Sequence, residues 1–204
     1  MRQGILFVVS GPAGSGKGTV VEALCKAHSD VGLSVSMTTR QPRATDAEGV
    51  TYYFTTRDDF ENRIKNGEFL EYNIFDGNNE YYGTPKFSVE KSLSEGKDII
   101  LEIEVNGAMN VKKQFPNAVA IMLTPPNGEI LKSRLRGRGS EDEHEIAERL
   151  ETAKKELALF PKYDYLVVNE EGKVDECAEL IYSIIRAERQ RIIYTKPIID
   201  NFNL

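Results

Sequence analysis

The sequence predicts an α/β fold in which a central parallel sheet is covered by helices. Three observations carry this expectation. Apolar runs of strand length alternate with helically spaced patterns along the whole 204-residue chain. The first of these runs passes through a glycine-rich turn directly into a helical pattern. The polar residues able to do chemistry fall where strands end, which is the edge at which open parallel sheets bind ligands.

The opening strand, Ile5-Leu6-Phe7-Val8-Val9-Ser10, feeds Gly11-Pro12-Ala13-Gly14-Ser15-Gly16-Lys17-Gly18-Thr19. Gly11 and Gly16-Lys17 have the spacing G-x-x-x-x-G-K of a phosphate-binding loop. Glycines let backbone N–H groups close around an anion, the helix N-terminus adds partial positive charge, and the lysine adds a full one. The spacing alone also fits an ordinary βα turn, but the strand before it and the helix after it are what the motif requires. A dinucleotide fingerprint is excluded, because no G-x-G-x-x-G can be placed here. The residue after Lys17 is Gly18, where the standard loop carries a Ser or Thr hydroxyl for Mg²⁺; Thr19 is the nearest substitute.

Val20, Val21, Leu24, Cys25 and His28 recur at helical spacing and predict the first crossover helix. Residues 32–37 predict a second strand, and Pro42 keeps Arg40 and Arg43 on the loop after it. Residues 44–50 are polar and predict a mobile turn, and 51–56 a short aromatic strand. Thr56-Arg57-Asp58-Asp59 has the capping-box pattern for a helix through Phe60 and Ile64 that stops at Gly67. Residues 68–75 predict a strand, followed by a turn and Tyr81-Tyr82-Gly83-Thr84-Pro85. The 34–84 stretch thus forms a small mixed β-rich insert, too polar for core.

Val89 and Leu93 mark a helix ended by Gly96, and residues 98–105 an apolar strand with Glu102 and Glu104 near its end. A crossover helix over 106–115 and a buried strand over 118–124 follow. Asn127 is placed to cap a helix over 129–136, broken by Gly137-Arg138-Gly139. Ser140-Glu141-Asp142-Glu143 gives a second capping box, and Ile146, Leu150, Ala153, Leu157 and Phe160 continue as an amphipathic helix. Residues 165–168 form the last strand with Asn169 at its end, 175–192 the last helix, and the remainder a loose tail.

A hydrophobic fraction of 40% and a charged fraction of 28% are those of a globular protein with one core and inserted subdomains. The longest apolar runs are strand-sized, so no membrane span is expected, and the first residues show no cleavage-site pattern. The net charge of −6 argues against a nucleic-acid or anionic-membrane partner. Cys25 and Cys177 sit far apart in helical patterns and are read as core packing in a reducing cytoplasm. Nothing in the pattern distinguishes a monomer from a homo-oligomer.

Three constellations carry chemistry. The first is the glycine loop with Lys17. The second is an anion-and-base site drawn from Ser36, Arg40, Arg43, Tyr52, Glu71, Tyr82 and Thr84, with Glu102 and Glu104. The third is the arginine series Arg134, Arg136, Arg138 and Arg149. It reads either as a solvated helix face or, beside a phosphate loop and a Gly-x-Gly hinge, as a closing lid.

In these residues the chain resembles the bacterial guanylate kinases. The resemblance lies in Ser10 to Thr19, Ser36-Met37-Thr38-Thr39-Arg40-Gln41-Pro42-Arg43, Gly67-Glu68-Phe69-Leu70-Glu71, Tyr81-Tyr82-Gly83-Thr84, Leu101-Glu102-Ile103-Glu104-Val105-Asn106-Gly107, Arg136-Gly137-Arg138-Gly139 and Tyr163-Asp164-Tyr165-Leu166-Val167-Val168-Asn169. It implies a P-loop three-layer fold, with a core of residues 1–33 and 85–204, a GMP-binding subdomain over 34–84 and a lid over 134–155. It implies transfer of the ATP γ-phosphoryl group to GMP or dGMP with Mg²⁺. Gly11 to Thr19, with Arg134, Arg138 and Asn169, then face ATP, and Thr19 and Glu102 lie on the metal side, directly or through water. Arg40, Arg43, Tyr52 and Tyr82 match positions that hold the GMP phosphate; Ser36, Glu71, Thr84 and Glu104 match those that read guanine, with Glu102 beside them. Lys17, Arg40, Arg138 and Arg149 would neutralise the transferring charge.

Guanine itself supports this mapping. It offers donors at N1 and N2 that one carboxylate accepts together, and an O6 acceptor for a hydroxyl, whereas adenine N1 would set a lone pair against Glu71. Neither His28 nor His144 falls near the site; a phosphate acceptor, largely ionised near neutrality, needs no general base. Three departures stand out: Gly18, the glutamates at 102 and 104 where many relatives carry aspartates, and the longer turn at Asn79-Glu80. Rival readings are a kinase for AMP, dUMP or a ribose bisphosphate, and a non-catalytic guanylate-kinase-like binding module.

Overall fold

β1 (Leu6–Ser10) is buried along its whole length, as a central parallel strand covered on both faces must be. The structure, a computed structural model, describes residues 2–75, 79–137 and 143–195. β1 leads through the glycine loop into α1 (Lys17–Ala27). Then come β2 (Val31–Leu33), β3 (Ser36–Thr38), β4 (Tyr52–Phe54), α2 (Arg57–Lys65), β5 (Phe69–Phe75) and β6 (Glu80–Pro85). The chain continues through α3 (Lys86–Ser94), β7 (Asp98–Glu102), α4 (Val105–Gln114), β8 (Val119–Thr124) and α5 (Gly128–Arg136). It closes with α6 (Glu143–Leu157), a 3-10 turn (Phe160–Lys162), β9 (Tyr165–Val168) and α7 (Val174–Glu188).

The main sheet has the order β2-β7-β1-β8-β9, with every neighbouring pair parallel. Alternation along β1 assigns its side chains to two cores. Ile5, Phe7 and Val9 pack with Val20, Val21 and Leu24 of α1 and with Ile181 and Ile185 of α7. Leu6 and Val8 pack on the other face with Val89 and Leu93 of α3 and with Ala108 and Val111 of α4. The expected three-layer α/β fold is what the chain adopts. Both cysteines are free, with Cys177 in the first core and Cys25 against it.

A second, mixed sheet has the order β4-β3-β6-β5, in which only β3–β4 is parallel. Its own small core is Met37, Phe60, Phe69 and Tyr81, with α2 supplying Phe60.

Four expected boundaries change. The single strand over 32–37 divides, because β2 pairs with β7 in the main sheet whereas β3 pairs with β4 and β6 in the second. The strand expected to run to 105 stops at Glu102, and Glu104 becomes the N-cap of α4. α6 ends at Leu157, before the 3-10 turn that contains Phe160, and α7 ends at Glu188 rather than 192. The turn over 44–50 is not loose. It is closed by Asp46 N to Arg43 O (3.0 Å), Gly49 N to Tyr52 O (2.8 Å) and Thr51 N to Ala47 O (2.9 Å).

The cap residues behave as their chemistry predicts. Asn127 accepts from Ile130 N at 2.9 Å, and Thr56 accepts from Asp59 N at 3.2 Å. The Asp59 carboxylate does not complete a reciprocal box: it accepts from Thr55 and from Arg63 instead. The second box, at Ser140, and the tail beyond 195 lie outside the described residues. No helix among the described residues is long and apolar enough to cross a membrane.

Candidate active site

The glycine loop closes where β1 ends at the middle of the sheet. A Cβ on Gly11 would stand 2.0 Å from the Leu123 carbonyl oxygen of β8, so position 11 admits no side chain. Gly16 caps α1 with φ 88°, a left-handed conformation that favours glycine, and a Cβ there would meet Asn169 Nδ2 at 2.4 Å. Lys17 Nζ donates to the Gly11 carbonyl at 2.7 Å and to Pro12 O at 3.5 Å, which lays the ammonium across the loop. The first turn of α1 carries no acidic side chain of its own, which leaves the positive end of its dipole open to an anion.

Two distant residues brace the loop. Asn169 Nδ2 donates to Ser15 O at 2.9 Å, and Arg134 reaches Ser15 O at 3.4 Å and Asn169 O at 2.9 Å. Ser15 Oγ and Asn169 Oδ1 are buried with no hydrogen-bond partner among the described residues. Below the loop, Ser10 Oγ and the Tyr163 hydroxyl share a short hydrogen bond.

Glu102 stands beside the loop. An ideal Cβ on Gly18 would lie 3.6 and 3.7 Å from its two carboxylate oxygens. Surrounding protein raises the pKa of this carboxyl through desolvation; the Lys17 charge opposes the rise and Glu104 adds to it. Glu104 makes no side-chain capping bond to α4, so capping does not consume its carboxylate. Glu156 of α6 faces the same group: burial raises its pKa, Glu104 raises it further, and Lys17 lowers it. Thr19 is exposed, one residue past Gly18 and therefore roughly 100° around the helix from it.

The second sheet supplies the anion-and-base constellation. Its register sets Glu71 of β5 opposite Thr84 of β6, and Thr84 Oγ1 donates to Glu71 Oε1 at 2.7 Å. Burial raises the Glu71 pKa, the Thr84 hydrogen bonds lower it, and the Glu104 charge raises it again. A Cβ on Gly107 would meet Glu71 Oε2 at 3.1 Å, so the bare backbone of α4 is what lets this carboxylate lie there. Ser36 and Tyr52 are register partners on β3 and β4. Arg40 is buried; it donates to Asp46 Oδ2 at 2.8 Å and to Gln41 O at 2.9 Å, and its guanidinium lies 5.3 Å from the centre of the Tyr52 ring. The same Asp46 oxygen accepts from Arg43 N at 2.7 Å, so one carboxylate positions the stretch from Arg40 to Arg43. Tyr82 packs edge-on against Tyr52 at 5.9 Å and donates to Glu80 Oε2 at 3.0 Å.

The structure therefore makes Lys17, Glu102, Glu104 and Glu71 successive electrostatic neighbours and sets Ser36, Arg40, Tyr52, Tyr82 and Thr84 on or beside the sheet that carries Glu71. Arg149 is half-buried on α6. Arg138 lies outside the described residues, and α5 ends at Arg136. Sequence reasoning missed Asp46, Gly107 and Glu156. Glu156 had a faint signal, as a carboxylate between Ala153 and Leu157 on the apolar side of its helix. Asp46 had none, since an acid in a polar turn is ordinary. His28 stacks on Tyr182 at 3.5 Å and pairs with Glu179 at 2.7 Å, which ties it to α7.

The family model described as guanylate kinase matches residues 3–188. Guanylate kinase from Lactococcus lactis is 50% identical over 191 residues, covering 94% of this chain and 91% of its own. That from Clostridioides difficile is 43% identical over 204 residues, covering 99% and 97%. Among solved structures, guanylate kinase from Anaplasma phagocytophilum superposes with a TM-score of 0.71 at 29% identity, covering 95% of this chain and 90% of its own. Shikimate kinase from Acinetobacter baumannii, at 16% identity and a TM-score of 0.51, shares the fold alone. The glycine loop, the two sheets and the sequence match along almost the whole chain agree: this protein is a nucleoside monophosphate kinase of the guanylate kinase family.

Proposed function

We propose that the chain transfers the γ-phosphoryl group of ATP to GMP or dGMP by in-line displacement, giving ADP and GDP or dGDP, and so serves purine nucleotide supply and GMP recycling in the cytoplasm. One observation carries the reading: charged neighbours run from Lys17 to Glu102, to Glu104, and on to Glu71. That continuity supports a polyphosphate at one end of the series and a base at the other.

In this reading Gly11 to Thr19 cradle the ATP phosphates on the N-terminus of α1, and Lys17 turns from the Gly11 carbonyl to the phosphates. Asn169 and Arg134 act from beneath the loop, holding Ser15. The 34–84 subdomain binds GMP. Glu71 accepts from guanine N1 and N2, Ser36 donates to O6, and Thr84 keeps the carboxylate in place. Arg40 and Arg43, with the Tyr52 and Tyr82 hydroxyls, hold the dianionic phosphate. The 134–155 lid brings Arg138 and Arg149 over the transferring group and keeps water out. The remainder, 1–33 and 85–204, is the core. Catalysis is positioning and charge neutralisation, with no proton abstraction.

Mg²⁺ fits this donor set. The space that a side chain at 18 would fill opens onto two carboxylate oxygens beside the loop, and oxygen ligands suit a hard cation. Glu102 would hold it, directly or through water, with Thr19 the hydroxyl on the same helical turn. Bound there, such an ion would supply positive charge against that developing on the transferring phosphoryl group. An ADP-release assay with ATP, Mg²⁺ and each nucleoside monophosphate in turn tests the reading. GMP and dGMP should support turnover; activity with AMP or UMP and none with GMP overturns it.

A further inference from the structure

We propose that Gly18 and Glu102 are one size-matched unit, in which the missing side chain at 18 is what lets the longer carboxylate at 102 stand against the first turn of α1. The inference rests on the ATP- and Mg²⁺-dependent reading above and concerns how this loop provides for the cation without the usual hydroxyl. In the standard loop a Ser or Thr after the lysine offers its oxygen to Mg²⁺. Here that position is bare, yet an oxygen source is present. An ideal Cβ on Gly18 has as its nearest neighbours Glu102 Oε1 at 3.6 Å, Oε2 at 3.7 Å and Cδ at 4.0 Å, all from one carboxyl group. The carboxylate comes from the last residue of β7, so it enters from the adjacent strand. Lys17 acts on it electrostatically from the loop side.

The distances set a size rule. A Cβ alone fits at van der Waals contact. A serine Oγ, one bond further out, falls within hydrogen-bonding reach of Glu102 and donates to it. The hydroxyl then stands between the loop and the carboxylate and ties each to the other. Shortening residue 102 by one methylene draws its carboxylate back and frees the space for a hydroxyl at 18. Gly with Glu, and Ser with Asp, are therefore the two compatible pairs.

The test is a double-mutant cycle on the full-length protein with G18S, E102D and G18S/E102D, adding E102A. Mn²⁺ serves as probe, with binding read by electron paramagnetic resonance in the presence of a non-hydrolysable ATP analogue. G18S, E102D and E102A should each weaken Mn²⁺ binding by about 10-fold or more. The double variant should return to within about threefold of wild type, the non-additivity expected of residues in contact. G18A separates the hydroxyl from the added carbon, and its Cβ meets only van der Waals contact, so it should melt like wild type. A double variant whose loss is the product of the two single losses overturns the proposal, as does unchanged Mn²⁺ affinity in E102A. GMP-dependent ADP release by the wild type is measured separately. Its presence with an additive cycle refutes the pairing alone, whereas its absence refutes the functional reading.

Discussion

Replacing Glu71 by Gln exchanges one carboxylate oxygen for an amide NH₂ and leaves the side-chain shape almost unchanged. In the wild type, Oε1 accepts from Thr84 at 2.7 Å, and the missing side chain at Gly107 leaves room for Oε2, so the carboxylate is held from one oxygen. A hydrogen bond to a charged group is worth about 1.5–3 kcal/mol. Gln keeps one acceptor for guanine N1 or N2 and loses the other, so the cost is about 1.5–3 kcal/mol, or roughly 10- to 10²-fold in kcat/KM for GMP. The KM for ATP should move little. Stability should move the other way. Burial, with a contribution from Glu104, raises the Glu71 pKa, so its stabilising protonated form prevails below the ordinary carboxyl range and is lost as pH rises through the raised folded value. E71Q removes that loss, so it should melt no lower than wild type at neutral pH, with the gap in its favour widening as pH rises across the carboxyl range. Initial rates of ADP formation with GMP varied, alongside melting curves over that pH range, provide the readout. Unchanged kcat/KM for GMP would refute the assignment of Glu71 to the base. A fall in melting temperature together with equal losses for both substrates would show that Glu71 acts only as a structural residue.

Four further outcomes are expected. D46A should raise the KM for GMP by roughly 10²-fold while sparing ATP, because it releases a guanidinium whose placement matters at the ångström scale; steady-state kinetics with each substrate varied decides it. The Arg43 backbone N–H, then Arg40, lower the Asp46 pKa, so its stabilising contribution is present above the ordinary carboxyl range and is lost as pH falls through the depressed value. The melting temperatures of wild type and D46A should accordingly converge in acid. G16A places a side chain at φ 88° and 2.4 Å from Asn169 Nδ2, so equilibrium dialysis should find ATP binding lost. Burial pushes the Cys177 thiol up to about 11 and also raises that of Cys25, so a thiol reagent at neutral pH should label native protein far more slowly than denatured protein.

Most of the fold was readable in local pattern. The buried run of β1, the glycines after it and the helical spacing that follows are consequences of backbone geometry and periodicity over a few residues. The Thr56 and Asn127 caps were legible for the same reason, since a cap bonds within its own turn. Boundaries failed where partners lie far along the chain. Nothing within residues 32–37 marks the step from one sheet to the other; β2 leaves because β7 is its neighbour and β3 because β6 is.

The chemistry divides along the same line. Residue types and spacings pointed to a phosphate loop and an anion-and-base site, and the resemblance to guanylate kinases supplied the guanine reading of Glu71. Which groups meet is a matter of register and helix docking. Those set Thr84 against Glu71, Gly107 beneath that same carboxylate, Asp46 on Arg40 and Glu102 beside Gly18. A side chain's partner depends on contacts made across the folded chain, so candidate groups could be named from the sequence, whereas their pairing, and the parts taken by Asp46, Gly107 and Glu156, came only with packing.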